Sequence, residues 1–244
     1  MGALQFERVE DPARVRAIHR DLLTPSFPPS ELISAGDLLA QITSGASSLI
    51  AATVDGVNTQ SPVDTQSPVD AGVAVVDDHG GVLLLSYLAI GSNHRSGGIG
   101  GRLLDGAVAD WAADPSTLLV LAEVERPDQH SSSPAHGDPA RRVRFYDRHG
   151  GLALDMPFFQ PSVGDDMPRE HGMLLVALYI ADDVRGAGNQ LNQRGNDLLR
   201  TFVGSYVGEP DPDDADLARV YAAIDDHPQG VTLVELNDYR AIPT

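Results

Sequence analysis

"NHRSGGIGGRLL", residues 93–104, places four glycines in five positions (Gly97, Gly98, Gly100 and Gly101) directly before an apolar, helix-like run. Glycine lacks the Cβ that keeps neighbouring backbone N–H groups apart, so such a turn lets several of them converge on one point. A helix starting there adds the positive end of its dipole. The product is an anion cradle, and phosphate is its usual occupant.

Two phosphate-binding designs fail on the residues. A Walker loop needs a lysine after its glycines, and the chain contains no lysine at all. A dinucleotide fingerprint needs a third glycine where Leu103 stands, and it follows an early strand. This motif lies mid-chain, after the strand-like "VLLLSYLAIG" of residues 82–91.

Working outward, "DDHGG" (77–81) reads as a hairpin turn into that strand, and the helix after the glycines runs from about Gly98 to Ala112. "TLLVLAEVE" (117–125) is the next strand. A Ser/Pro/Gly loop follows, then a helix opened by Asp138 and Pro139, then strands around "GLALDM" (151–156) and "GMLLVALYIA" (172–181). Upstream, "ALQFERV" (3–9) reads as a strand and Asp11 caps a helix that begins at Pro12 and reaches about Leu23. Ser30 is expected to cap a second helix, with Leu32, Ile33, Leu38, Leu39 and Ile42 in helical period up to Gly45. "SSLIAATV" (47–54) and "AGVAVVDD" (71–78) are strands, separated by a polar loop in which TQSPVD (59–64) is repeated at 65–70. Loop growth by duplication costs little closure entropy. Beyond residue 182 come a helix near 188–205, the acidic linker "GEPDPDDAD", a short helix and a last strand, "VTLVEL" (231–236).

Composition sets the outer limits. The chain has 244 residues, 42% of them hydrophobic, enough for a substantial core. Without cysteine there is no thiolate nucleophile, disulfide or thiolate metal site. The formal charge of −18 argues against nucleic acid as a partner. A salt-adapted or high-GC proteome accounts for that acidity as well as a cationic substrate does. Apolar runs stop at about ten residues, short of a membrane span, and the N-terminus lacks a signal-peptide core, so the expected address is cytoplasmic, with no membrane partner.

The motif, strand then Arg95-Ser96-Gly97-Gly98-Ile99-Gly100 then helix, resembles the [Q/R]-x-x-G-x-[G/A] motif A of the GNAT superfamily of acyl-CoA-dependent N-acyltransferases. "LAIGSNHR" stands where that family has an LAV-x-P-x-x-R stretch, with Ser92 at the proline. "FYDRHGG" (145–151) resembles the family's LYEKLGF, with Gly151 at the aromatic, and "LAEVE" (121–125) is similar to the LEV strand of ribosomal-protein N-terminal acetyltransferases. The family's Asn-x-x-Ala before the tyrosine is missing. The resemblance covers residues 4–181. It implies an α/β fold, GNAT-like and mixed, with a mostly antiparallel central sheet and flanking helices, here carrying a C-terminal α/β extension (182–244). It also implies acetyl-CoA as co-substrate, with Leu88, Ala89 and Ile90 lining pantetheine and Arg95, Ser96, Gly97, Gly98, Ile99, Gly100 and Gly101 holding the pyrophosphate.

Acyl transfer to an amine needs a base for the ammonium proton, a donor for the developing oxyanion and a proton for the thiolate. The resemblance places Glu123 as base and Tyr146 as general acid. Strand parity sets Leu119, Leu121, Glu123 and Glu125 on one face. A carboxylate emerging from an apolar strand has its pKa raised by desolvation. Glu125, beside Arg126, reads as solvated or ion-paired. No HxxxH or HExxH spacing occurs among the eight histidines, which argues against a metal. "DMPFFQP" (155–161) suits either an acceptor pocket or a hydrophobic lid. The leading expectation is an N-acetyltransferase acting on a primary amine of a small molecule or peptide N-terminus; the alternative is a non-catalytic acyl-CoA-binding regulatory module. The extension, with Leu191, Leu198, Leu199, Phe202 and Val203, is too apolar for a free tail. It is expected to dock on the core or on a second copy in a homodimer.

Overall fold

The computed structural model describes residues 4–29, 31–55, 68–95, 97–133, 137–162 and 168–244. The chain folds as two compact units, residues 1–78 with 85–110, and residues 79–84 with 111–244. Most of the tandem hexamer lies outside the described residues.

In the first unit, β1 (Gln5–Arg8) is followed by α1 (Pro12–Ile18), whose cap Asp11 accepts from the Arg14 N–H at 2.8 Å. The helical path then widens into a π-type turn over residues 19–23, closed by Thr24 N–H to His19 O at 2.8 Å, which buries Leu22 and Leu23. The second helix, α2 (Ala35–Ser44), starts later than the sequence suggests. Its cap is Ser34, and the expected cap Ser30 lies outside the described residues. The cause is tertiary: the Tyr87 hydroxyl accepts from Ile33 N–H at 3.2 Å and donates to Glu31 O at 3.1 Å, which holds the chain out of helical geometry there. Gly45 ends α2 with φ 80°.

Strands β2 (Ser47–Asp55), β3 (Pro68–Asp78) and β4 (Val82–Ile90) complete this side in the order β1-β2-β3-β4. β1 and β2 pair antiparallel, as do β2 and β3. Leu49, Ala51, Val73 and Val75 point into one core with Val15, Ile18 and Leu23 of the first helical segment and Leu38 of α2. The opposite face carries α3 (Ile99–Ala112), where Phe6 packs at Gly106 and Leu103 reaches Gly72.

In the second unit the order is β5 (Leu119–Glu125), β8 (Glu170–Ile180), β6 (Leu152–Leu154) and β9 (Leu233–Glu235), with α4 (Pro139–Arg148) between β5 and β6 in the chain. A further strand, β7 (Phe158–Gln160), pairs with β8. Phe158 and Phe159, in the stretch whose sequence suits a pocket or a lid, are buried on this strand and also line a cavity beside it. The β5–β8, β6–β8 and β6–β9 pairings are antiparallel.

The chain beyond residue 182 is built into this second unit. Helix α5 (Gln193–Tyr206), capped by Asn192, and helix α6 (Ala215–Asp225) supply Leu199, Phe202, Val203, Leu217 and Val220 to one core with Leu119, Leu121 and Leu175. β9 adds an edge strand to β6. Arg126, only 2% exposed, donates to Ile242 O at 2.8 Å and Pro243 O at 3.1 Å and pairs with Asp128. A Cβ at Gly151 would come within 3.0 Å of Tyr146 O and of Val176 and within 3.3 Å of Leu236. Glycine stands there because the Tyr146 carbonyl and Val176, with Leu236 of the C-terminal segment, fill the space that a side chain would need. Among the described residues no helix is long and apolar enough to cross a membrane.

Candidate active site

The glycine turn sits where the first unit passes from β4 into α3. Gly98 has φ +70°, a conformation that residues with a Cβ adopt at a cost, and a Cβ built there meets nothing within 4 Å. Gly97 and Gly98 are exposed, while Ile99 turns inward and is buried. The helical hydrogen bonds begin with Arg102 N–H to Gly98 O, so the N–H groups of Ile99, Gly100 and Gly101 have no partner within the helix. Upstream, Ala89 is buried and Leu88 and Ile90 are half-buried at the end of β4. Arg95 is exposed, and its Nε donates to Ile90 O at 3.2 Å, folding the guanidinium back over the strand end. Ser96 lies outside the described residues. Exposed, Cβ-free backbone ahead of a helix start fits a pyrophosphate.

Glu123 lies in the second unit near the end of β5, on the side of the strand whose Leu119 and Leu121 enter the core. The residue as a whole is half-buried, but its Oε1 is shut off from solvent and has no hydrogen-bond partner among the described residues. Oε2 accepts two hydrogen bonds, from the Tyr206 hydroxyl at 3.0 Å and from Gln160 Nε2 at 3.2 Å. Burial pushes the carboxyl up from 4.5 to about 8; the bonds from Tyr206 and Gln160 pull in the other direction without cancelling it. It is the buried carboxyl end, not the average exposure of the residue, that sets this desolvation.

Tyr206 is the last residue of α5, and its ring stacks on Phe202 with centroids 5.5 Å apart and meets His79 edge-on at 5.4 Å. Gln160 ends β7. Neither stands out in the sequence: one is a single tyrosine at a helix end, the other a glutamine in a three-residue strand before Pro161. Glu125 is ion-paired with Arg142 of α4.

Tyr146 is buried on the inner face of α4, against Phe145 with centroids 5.1 Å apart. Burial raises its phenol to about 12, and the nearby Arg142 lowers it in part. Of the loop and helix-end histidines, His130 bonds His171 O at 2.8 Å and His149 caps α4, while His136 lies outside the described residues. No three His, Asp or Glu side chains among the described residues are grouped as for a metal ion. A cavity of about 300 Å³ opens beside β7, lined by Phe158, Phe159, His171, Asp216 and Arg219.

No protein-family model matches the chain, and neither does a curated protein. Solved structures do. A protein assigned to the GNAT family of acetyltransferases, from Bacteroides thetaiotaomicron, aligns over 84% of this chain and 99% of its own, with a TM-score of 0.57 at 18% identity. An acetyltransferase from Bacillus subtilis in complex with CoA aligns over 73% of this chain and 100% of its own (TM-score 0.46, 13% identity). Spermidine/spermine N-acetyltransferase SpeG from Vibrio cholerae aligns over 71% and 91% (TM-score 0.45, 12% identity). At these identities the likeness is one of fold, and the first of the three carries it. The chain has the GNAT fold, a mostly antiparallel sheet with flanking helices, as the glycine motif implied.

Proposed function

We propose that this chain is an acyl-CoA-dependent N-acetyltransferase that moves acetyl from acetyl-CoA to a primary amine of a small molecule or peptide N-terminus. The observation that carries the reading is Glu123: a carboxyl at the end of an apolar strand of a GNAT fold, buried, raised to about 8, with one oxygen unpartnered. A general base works best with a pKa near the operating pH.

In this reading residues 1–181 form the acetyltransferase domain and 182–244 its extension. The backbone of Gly97 to Gly101, with Arg95 and Ser96, holds the pyrophosphate, and Leu88, Ala89 and Ile90 line the pantetheine arm. The amine nitrogen attacks the thioester carbonyl directly. A C–N bond forms, the C–S bond breaks, and the proton lost by the amine passes to the Glu123 carboxylate. Tyr146, protonated throughout the working pH range, donates a hydrogen bond toward the departing sulfur.

The test is acetyl-CoA-dependent thiol release over a panel of polyamines, aminoglycosides, amino acids and short peptides with free N-termini. Turnover on any of them, abolished in Glu123→Gln, supports the proposal. Coenzyme binding without turnover on the whole panel would favour a binding module.

A further inference from the structure

We infer that Tyr206 and Gln160 are positioning residues for Glu123, fixing its Oε2 and leaving Oε1 as the oxygen that exchanges protons. The inference rests on the reading of Glu123 as the base. It gives the segment beyond residue 182, which the resemblance does not cover, a part in the chemistry.

The geometry is asymmetric. Both donors converge on Oε2, at 3.0 and 3.2 Å, while Oε1 is buried and bare. A buried polar atom without a partner is costly and is retained in few places. Two donors on one oxygen make that oxygen the poorer proton acceptor, since protonating it would break bonds already made. The proton therefore enters and leaves at Oε1. Tyr206 is itself held by its stack on Phe202 and its edge contact with His79, and His79 bonds Ser205 at 3.2 Å. The donor consequently cannot swing away from Oε2 without disturbing the core beneath α5.

The groups facing the carboxyl can be named element by element. Tyr206 comes from α5 and Gln160 from β7. Leu175, the register partner of Glu123 on β8, is apolar. His79 stands behind Tyr206, and the Glu125–Arg142 pair lies two residues along β5. Both hydrogen bonds favour the ionised form and so oppose the effect of burial.

The experiment uses the full chain with 13C-labelled glutamate, Glu123→Gln serving to assign the Glu123 carboxyl signal. Its titration is followed in wild type, Tyr206→Phe and Gln160→Met. Tyr206→Phe keeps the ring stack and is expected to raise the titration midpoint by about one pH unit; Gln160→Met, changed on a different element, is expected to raise it by about half a unit. An unmoved midpoint in both folded variants overturns the inference, and if one variant fails to fold the other decides. The pH dependence of kcat/KM, with acetyl-CoA and the fastest amine of the panel, is measured alongside. Its acidic limb should move up with the carboxyl, lowering kcat/KM at pH 7 about tenfold in Tyr206→Phe. A carboxyl that shifts while the limb stays put would leave the positioning intact and remove Glu123 as the base, so the two failures are separable.

Discussion

Tyr206 donates its hydroxyl to Oε2 of Glu123 at 3.0 Å, joining a helix end to a strand end 83 residues earlier in the chain. This bond ties the segment after residue 182 to a carboxyl that burial raises to about 8, and it makes the protonation of Glu123 depend on how that segment packs.

That protonation should be visible in stability with no substrate present. Glu123 titrates at about 8 in the folded chain, against 4.5 for an ordinary glutamate, so between those values the folded state binds the extra proton. Stability from this group is therefore full below pH 4.5, falls as pH rises toward 8, and is level above. Glu123→Gln, neutral at every pH, should match wild type at pH 5 and exceed it at pH 9 by an amount on the order of 4 kcal/mol. Urea unfolding at the two pH values measures it. Equal differences at both would mean that the carboxyl is not held as described.

The glycine turn makes a different kind of prediction, because its two exposed glycines separate ligand effects from folding effects. A Cβ on Gly97 meets only His94 O at 3.8 Å and Ile99 at 4.0 Å, ordinary contacts, so Gly97→Ala should fold with unchanged stability. Gly98 has φ +70°, so Gly98→Val adds backbone strain of about 1–2 kcal/mol. Titration calorimetry with CoA should show at least about tenfold weaker binding for both if these amides hold the pyrophosphate. Full affinity in a folded Gly98→Val variant would remove the motif from the site.

Arg126 tests how firmly the end of the chain is held. Its guanidinium is buried, donates to the carbonyls of Ile242 and Pro243, and lies 5.8 Å from the centre of the Tyr239 ring. Arg126→Met keeps the apolar stem and leaves those carbonyls without their donor, which should cost about 2–4 kcal/mol. Limited proteolysis should then release fragments cut near residues 236–244 that wild type resists. An unchanged cleavage pattern with unchanged stability would make the cluster incidental.

The legible part of this chain was the part written in local pattern. Four glycines before a helix, Asp11-Pro12 and Asp138-Pro139 at helix starts, and an apolar strand with Glu123 near its end each declare themselves within about ten residues. The misses have physical causes. The second helix is capped by Ser34 and not begun at Ser30, because Tyr87 takes the backbone of Glu31 and Ile33. β7 is three residues between prolines 157 and 161, too short for a period to show, and it exists through its pairing with β8. Tyr206 and Gln160 reach Glu123 over 83 and 37 residues, and no local spacing encodes such contacts.

Tyr146 provides the last prediction, since its burial decides what kind of help it can give. A phenol at about 12 stays protonated at every pH where activity would be assayed. Against a thiol of pKa about 8.5, complete transfer of its proton to a free thiolate runs uphill by about 5 kcal/mol. The role left is hydrogen-bond donation to sulfur as charge develops there, and a bond to a charged acceptor contributes about 1.5–3 kcal/mol. Tyr146→Phe should accordingly lower kcat by about 10- to 100-fold. The loss should be the same from pH 6 to 9.5, because the tyrosine does not titrate in that range. Glu123→Gln should behave differently, losing about 100- to 10,000-fold near neutral pH and recovering in part at high pH, where free amine is supplied by solvent. Replacing acetyl-CoA with an acetyl thioester of a more acidic thiol should shrink the Tyr146→Phe defect and leave the Glu123→Gln defect in place, as a better leaving group needs less help at sulfur. Steady-state kinetics of both variants across pH with both donors checks all of this. Full activity in Tyr146→Phe would return that residue to the core of α4, and near-wild-type turnover in Glu123→Gln at neutral pH would move the base to Glu125 or to no side chain at all.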